Sequence, residues 1–213
     1  MEKLFLLIWA TTFAAAAADS PLYQNDFEKA EAGKLPDGFM VMQGEFVVKD
    51  LGTNKVLELP GAPVDSFSVL FGPVTNANVA VEARVLGMAK GRRMPTFGVG
   101  LGGVAGYKLQ ISPGKKAVDL VLGDGEQQAI VASAPFNWES GAWLQCKLQI
   151  RKPANSPVIV EAKAWKFGET EPRDWLITYN AKEETISGQA SILGSPLSGT
   201  PICFDDLKVT QVP

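Results

Sequence analysis

Histidine is absent from this sequence of 213 residues. Without imidazole the chain has no Ser-His or Cys-His nucleophile pair, no histidine zinc site and no general base of the usual near-neutral kind. Excess positive charge is missing as well, because 20 Lys and Arg stand against 23 Asp and Glu, for a net charge of −3. Proteins that bind nucleic acid carry a basic face, so this balance argues against a nucleic-acid partner.

Cysteine is scarce, with Cys146 and Cys203 as the two examples. An even number of cysteines in an exported protein permits a disulfide, which makes this pair a candidate bridge. The alternative is two buried free thiols, which pack as small hydrophobic side chains. The sequence leaves both states open, because a bridge requires a geometry that an even count does not show.

Long hydrophobic runs are lacking after the N-terminal segment. There, a charged start at 1–3 precedes an apolar stretch, 4–13, and a run of alanines, 14–18. This order is typical of a signal peptide, and the apolar stretch is shorter than the roughly 20 residues that span a bilayer. We therefore predict that 1–18 is a cleaved signal peptide. The mature chain, 19–213, is expected to be periplasmic or extracellular, with no membrane span.

Most of the mature chain shows a hydrophobic period of two. In 79–86 and 144–150, apolar residues alternate with polar ones, which is the pattern of half-buried strands. No helical period extends over three turns, and 21 glycines with 14 prolines supply turns. The pattern predicts one all-β domain over 19–213, a sandwich or a barrel, in which the last strand, 202–209, closes a sheet.

A set of short motifs occurs in a recognisable order along the mature chain. The motifs are NDFE (25–28), GEFVVKD (44–50), Trp138, WLQCKL (143–148), VEAKAW (160–165), PRDW (172–175), SGQA (187–190) and FDDLKV (204–209). Their order resembles the concanavalin A-like lectin and glucanase superfamily, particularly the LamG-like jelly rolls of secreted bacterial proteins. The resemblance implies two antiparallel sheets in a jelly-roll sandwich. Members include sugar-binding modules, glycosidases and domains of unknown role.

Catalytic members of this superfamily carry a Glu-x-Asp-x-x-Glu motif on one strand, and this sequence has no such triplet. A glycosidase needs two carboxylates about 5–10 Å apart. Such a pair would have to form across strands here, for example from Glu82 and Glu161. The likeness to catalytic members therefore stays at the level of fold, which is a poor basis for predicting activity.

A structural calcium site is one candidate that the resemblance suggests. Related jelly rolls tie the N-terminal strand to the C-terminal strand with Ca²⁺, and Asp26, Glu28, Asp205 and Asp206 lie in the matching runs. Hard carboxylate oxygens suit this ion. Adjacent residues of a strand point to opposite faces, so without a bulge only one of Asp205 and Asp206 enters a given site. The alternative is that Asp205 accepts hydrogen bonds and Asp206 is solvated.

A carbohydrate platform is the second candidate. Gly98, Gly100 and Gly102 fall on one face of a strand, and interior glycines mark a bulge or a close approach by another backbone or a ligand. Aromatic rings near such a face could stack on sugars. The rings considered are Phe97, Tyr107, Trp138, Trp143, Trp165 and Trp175. Trp165 is the favoured residue, because it alternates with apolar neighbours. Packing in the sandwich core is the alternative for all of these rings.

These observations favour a non-catalytic, exported β-sandwich that binds a carbohydrate or another component of the cell envelope. A structural subunit of a larger envelope complex is one alternative, and a glycosidase-like enzyme is the other. The sequence does not identify the ligand or the protein partner.

Overall fold

The structure is a computed structural model that describes residues 21–213 apart from 63, 64, 183 and 185. The predicted signal peptide, 1–18, lies outside the described residues. The strands are β1 (Tyr23–Asn25), β2 (Met40–Gln43), β3 (Val47–Leu51), β4 (Asn54–Leu59), β5 (Phe67–Thr75), β6 (Val79–Leu86), β7 (Thr96–Leu101), β8 (Tyr107–Ser112), β9 (Ala117–Leu122), β10 (Ala129–Pro135), β11 (Trp143–Arg151), β12 (Ile159–Lys166), β13 (Ile177–Asn180), β14 (Gly188–Ser195) and β15 (Ile202–Gln211).

Helical structure in the described residues consists of two single 3-10 turns, Pro113–Lys115 and Gly125–Gln127. Neither turn approaches the length and apolar character that a helix needs to cross a bilayer.

The strands follow the alternation in the sequence. In β11, Leu144, Cys146 and Leu148 are buried in the hydrophobic core. Gln145 and Lys147 alternate with them and therefore lie on the other face of the strand. Two antiparallel sheets bury their apolar faces against each other, with one core cluster drawn from both. This architecture confirms the predicted two-sheet jelly-roll sandwich.

In both sheets, several neighbouring strands are far apart in the sequence. Sheet A has the order β13-β12-β11-β6-β15-β4-β3, and β1 also pairs with β15. Sheet B has the order β10-β9-β8-β7-β14-β5-β2. Because β7, β14 and β5 are neighbours in sheet B, side chains from distant parts of the chain share its outer face.

The closing role predicted for the last strand is confirmed. β15 lies inside sheet A, where it pairs with β6 and β4, and it also pairs with β1. It therefore joins the start, the middle and the end of the described chain. The register of β15 against β6 shifts between Asp205 and Lys208, and Asp206 adopts a φ of 48° in this bulge.

The two cysteines are free thiols, which corrects the candidate disulfide. Cys146 points from β11 into the core, whereas Cys203 alternates with the core residues Ile202 and Phe204 and lies on the outer face of sheet A. Strand β6 also separates β11 from β15. Two cysteines on opposite faces of a sheet cannot approach closely enough to form a bridge. Burial raises the pKa of each thiol to about 12.

Candidate functional site

Phe97 and Tyr107 do not form a surface platform, which corrects their assignment as sugar-binding residues. Phe97 is completely buried and Tyr107 is 1% exposed. Both rings belong to the core cluster, where Phe97 packs against Trp138 at a centroid distance of 5.9 Å. The physical reason is strand alternation, because Tyr107 has the same parity as the core residues Leu109 and Ile111.

A groove lies on the outer face of sheet B, and we call it the sheet B groove. Its volume is about 390 Å³, within the range of small-molecule sites. Seventeen residues line it: Met42, Gln43, Asp65, Ser66, Phe67, Ser68, Leu70, Val104, Lys108, Gln110, Asp124, Gly125, Gln128, Ser191, Leu193, Gly194 and Ser195. Hydroxyl, amide and carboxylate groups are thus interspersed with aliphatic side chains and one aromatic ring.

Glycines of β7 allow the neighbouring strands to close over the middle of this face. A Cβ at Gly98 would overlap the carbonyl oxygen of Leu109. A Cβ at Gly100 would overlap the hydroxyl oxygen of Ser191 and would lie 3.3 Å from Cγ of Lys108. The sequence predicted either a bulge or a close approach at these glycines. The structure shows a close approach by protein atoms of the neighbouring strands, so these glycines do not form an open platform for a ligand.

Ser191 lies on β14 beside Gly100 and lines the sheet B groove. Ser191 is 2% exposed, and its Oγ has no hydrogen-bond partner among the described residues. A hydroxyl provides one donor and two acceptor positions. Buried polar groups are normally hydrogen-bonded, so an unpartnered hydroxyl in the wall of a groove indicates a position where a ligand group could bind.

Lys108 joins the two loops on the β8–β9 side of the groove. Its Nζ donates to the carbonyl oxygens of Val104 at 2.7 Å and Gly123 at 2.6 Å, and it lies 3.6 Å from Oδ1 of Asp124. Burial lowers the pKa of Lys108, and the nearby Asp124 partly offsets this effect. The ammonium group therefore holds the two loops together, and its hydrogen-bond donors are taken up by these protein oxygens.

Asp65 lies on the opposite, β2–β5 side of the groove. Its Oδ2 accepts a hydrogen bond from Nε2 of Gln43 at 2.8 Å, and its Oδ1 accepts one from the backbone N–H of Ser66 at 2.7 Å. The hydroxyl groups of Ser66 and Ser195 lie 3.2 Å apart. This side of the groove thus presents hydroxyl groups and a carboxylate with no cation beside it among the described residues.

Trp165 lies outside the sheet B groove, on the outer face of sheet A. It is half-buried and borders a second cavity of about 380 Å³, together with Phe136, Glu139, Lys166 and Glu169 among others. Nζ of Lys166 forms an ion pair with Glu139 at 2.9 Å. Trp165 therefore lies on a different sheet from the glycine-containing strand β7.

The other outer-face tryptophans of sheet A contact cations. Nζ of Lys163 lies 4.3 Å from the ring centroid of Trp175, and the guanidinium of Arg84 lies 5.0 Å from that of Trp143. Lys163 also forms an ion pair with Glu171 at 2.8 Å. The contacts of Lys163 hold the segment after β12 against the outer face of sheet A.

The four predicted calcium ligands do not assemble into a metal site. Among the described residues no group of three or more Asp, Glu, Cys or His side chains is placed to hold an ion. The bulge in β15 brings both Asp205 and Asp206 to Arg84, which supplies the positive charge expected from calcium. Asp26 accepts a hydrogen bond from the backbone N–H of Glu28 at 3.2 Å. Glu28 in turn accepts one from the backbone of the β4 strand at 3.0 Å.

Glu82 and Glu161 occupy the outer face of sheet A on either side of β11, and each is paired with a cation. Glu82 bonds Lys147 at 3.0 Å, and Glu161 bonds Arg151 at 2.8 Å. Burial raises the pKa of Glu161, but hydrogen bonds from Arg151 and Gln149 outweigh it and hold the pKa below its usual range. A glycosidase acid requires a raised pKa, so Glu161 is not suited to the role of general acid.

Comparisons with known proteins give fold-level similarity. No protein-family profile matches the chain, and no curated protein matches it. Among solved structures, the carbohydrate-binding module CBM66 from Bacillus subtilis is 9% identical with a TM-score of 0.58, over 82% of this chain and 96% of that one. The metal-free Emp46p carbohydrate recognition domain is 12% identical with a TM-score of 0.62, over 92% and 99%. A Bacillus subtilis protein of unknown function with a galectin-like fold is 11% identical with a TM-score of 0.61, over 90% and 96%.

The fold is a two-sheet jelly-roll sandwich of galectin-like type. At these identities the likeness shows the fold alone. A potassium-bound form of the Emp46p domain is also similar, with a TM-score of 0.57 and 11% identity, over 83% of this chain and 89% of that one. The ion in that structure is a property of Emp46p.

Sequence reasoning did not identify the groove residues of this jelly roll. The signal for them was present, because Lys108 and Gln110 alternate with the core residues of β8. Ser191 and Leu193 alternate in the same way with the core residues of β14. What the sequence does not show is that β14 enters sheet B between β5 and β7, which brings these positions together.

Proposed function

We propose that this protein is an exported, non-catalytic carbohydrate-binding domain and that its glycan binds in the sheet B groove. The observation that carries the proposal is the lining of the groove. Hydroxyl and amide groups such as those of Ser68, Gln110 and Ser195 match the alternating donors and acceptors of a sugar. Leu70 and Leu193 provide apolar contact for its C–H faces.

Support also comes from fold relatives, several of which are named as carbohydrate-binding modules or carbohydrate recognition domains. Export is proposed from the signal-peptide pattern at 1–18. N-terminal sequencing of protein secreted by its native host tests it, with Asp19 expected as the first residue. Recovery of unprocessed chain from the cytoplasm would argue against export.

Isothermal titration calorimetry against hits from a glycan array tests the binding site. Ser68→Trp places a large ring in the groove and should abolish binding. The matched control, Thr178→Trp, adds the same ring at an exposed position of β13 in sheet A and should leave binding unchanged. No response to any glycan on the array would contradict the proposed function.

Trp165 remains a proposed sugar-stacking residue at the second cavity, because a half-exposed indole beside a pocket offers a face for a sugar ring. Trp165→Ala distinguishes the two locations. Loss of binding in this variant, with Ser68→Trp unaffected, would move the site from the sheet B groove to the second cavity.

A protein partner in the cell envelope is a second candidate function, favoured by the edge strand β2. Met40 is 56% exposed and Val41 is 38% exposed on this terminal strand of sheet B. Exposed apolar edge strands pair with strands of other chains unless they are blocked. Met40→Lys should reduce such pairing in sedimentation experiments with envelope extracts and leave glycan binding intact. Unchanged sedimentation of the wild-type protein with those extracts would argue against this candidate.

A further inference from the structure

The sheet B groove presents several hydroxyl groups and carries a net negative charge. Among the described lining residues, the charged side chains are Asp65, Lys108 and Asp124, which gives a net charge of −1. Nζ of Lys108 lies 3.6 Å from Oδ1 of Asp124 and offsets its charge, so the carboxylate without a cation beside it among the described residues is Asp65, on the β2–β5 side. An acidic group on a bound ligand would be repelled by Asp65.

Lys108 offsets the charge of Asp124, but its ammonium group is not available to a ligand. Lys108 is 8% exposed, and its Nζ donates to the carbonyl oxygens of Val104 and Gly123 while it faces Asp124. A carboxylate on a glycan would have to break these short contacts to reach the ammonium group. The groove therefore offers no available cation among its described lining residues.

Ser191 provides a neutral recognition group in the same groove. Its Oγ is buried, lies against Gly100 and has no hydrogen-bond partner among the described residues. A hydroxyl can both donate to and accept from the hydroxyl groups of a sugar. A ligand hydroxyl that reaches Ser191 would satisfy a group that the fold leaves unsatisfied.

We infer that the sheet B groove selects glycans without acidic groups over carboxylate-bearing glycans, and that Ser191 hydrogen-bonds a hydroxyl group of the bound sugar. This inference rests on the proposed carbohydrate-binding function. It names the ligand class for the same groove and assigns a specificity role to Asp65.

A chemically matched glycan series tests the charge selectivity. The glycan that binds best in the array is oxidised at its primary hydroxyl to the uronic acid, and the acid is then converted to its methyl ester. We expect the acid to bind at least about tenfold more weakly at low salt than the parent glycan, because Asp65 repels it and the lining offers no available cation. The ester, which lacks the charge, should recover most of the affinity.

Each result of this series is decisive. Equal or tighter binding of the acid overturns the inference, as does a best array ligand that already carries a carboxylate. An ester as weak as the acid also overturns it, because the cause would then be shape. Absence of binding by every glycan removes the proposed function itself, which distinguishes that failure from failure of the selectivity.

Two variants test the residues. Asp65→Asn should strengthen binding of the uronic acid by about fivefold at low salt, with little change for the parent glycan. Unchanged binding of the acid in this variant would contradict the role of Asp65.

Ser191→Ala should weaken binding of the parent glycan by about threefold to tenfold, since one neutral hydrogen bond is lost. Its melting temperature should stay the same or rise, because the hydroxyl has no protein partner to lose. Ser198→Ala, at an exposed loop position, is the matched control with no effect on binding. A Ser191→Ala protein that binds as the wild type does would refute the assignment of Ser191.

Discussion

Arg84 and Asp205 face each other across β6 and β15, and the carboxylate of Asp205 is completely buried against the guanidinium. The same guanidinium forms an ion pair with Asp206 at 2.9 Å. It also lies 5.0 Å from the ring centroid of Trp143 and 4.9 Å from that of Phe167. One side chain thus joins two central strands of sheet A, the start of β11 and the segment after β12.

Removal of this guanidinium should be costly. Arg84→Met leaves Asp205 buried without its cation, and loss of one partner of a buried ion pair costs about 3–5 kcal/mol. Urea unfolding followed by circular dichroism measures the loss. Asp206→Asn is the control, because its side chain is 45% exposed and exposed ion pairs contribute less than about 1 kcal/mol. Equal stability of Arg84→Met and wild type would show that the pair is not structural.

Acidification should destabilise the protein through its paired carboxylates. Burial raises the pKa of Asp119, but hydrogen bonds from Ser133 and Ser112 outweigh it, so the net pKa is lowered, as it is for Glu161. An acid with a lowered folded-state pKa contributes stability above its unfolded pKa, about 4.3 for Glu. That contribution is lost as the pH falls through the folded-state value.

Thermal melts from neutral pH to about pH 3 measure this dependence. Glu161→Gln should lower the melting temperature at neutral pH and reduce its fall on acidification, because the titrating group is gone. The control is Glu126→Gln, an exposed position in the second 3-10 turn, which should melt like the wild type at every pH. A wild-type melting temperature that is flat down to about pH 3 would contradict the prediction.

Both thiols should titrate only after unfolding. Cys146 is completely buried, Cys203 is 5% exposed, and burial raises each pKa to about 12, so the reactive thiolate is rare. Protein purified without reductant should release two equivalents with Ellman's reagent in guanidinium chloride and almost none when folded. A mass two daltons lower than the reduced chain, with no titratable thiol, would show the disulfide that the structure excludes.

Gly100→Ala should disturb the sheet B groove directly. The new Cβ would overlap the Ser191 hydroxyl oxygen and lie 3.2 Å from the carbonyl oxygen of Tyr107. Overpacking of this kind costs about 1–3 kcal/mol, and the shifted hydroxyl should weaken glycan binding. Gly114→Ala is the matched control, because a Cβ there meets nothing within 4 Å. Binding and stability of Gly100→Ala at wild-type values would argue against a closely packed floor.

Chelation should leave the melting temperature unchanged, because Arg84 supplies the positive charge beside Asp205 and Asp206. Differential scanning calorimetry with exhaustive EDTA treatment checks this expectation. A fall in melting temperature that Ca²⁺ reverses would restore the calcium site suggested by the resemblance, and Asp205→Asn would then identify one of its ligands.

The sequence predicts the core-facing residues of the strands better than it predicts the residues that form the groove on the outer face. Period-two alternation predicted the core face of β11, because burial follows parity in any half-buried strand. The same rule, applied consistently, would have placed Tyr107 in the core with Leu109. The groove itself lies beyond such reasoning, since Ser191 and Leu70 become partners only when β14 pairs with β5.

The sequence by itself determined the all-β sandwich and the closing position of the last strand. It also determined which face of the central strands points into the core. These features follow from local alternation of apolar and polar residues. Tertiary structure alone decided that both acids of β15 meet Arg84, because a bulge rotates Asp206 toward the face that Asp205 already occupies. It also decided that β6 separates the two strands that carry the cysteines and that the groove forms on sheet B. Those outcomes depend on strand order and register, which pairing between distant segments sets.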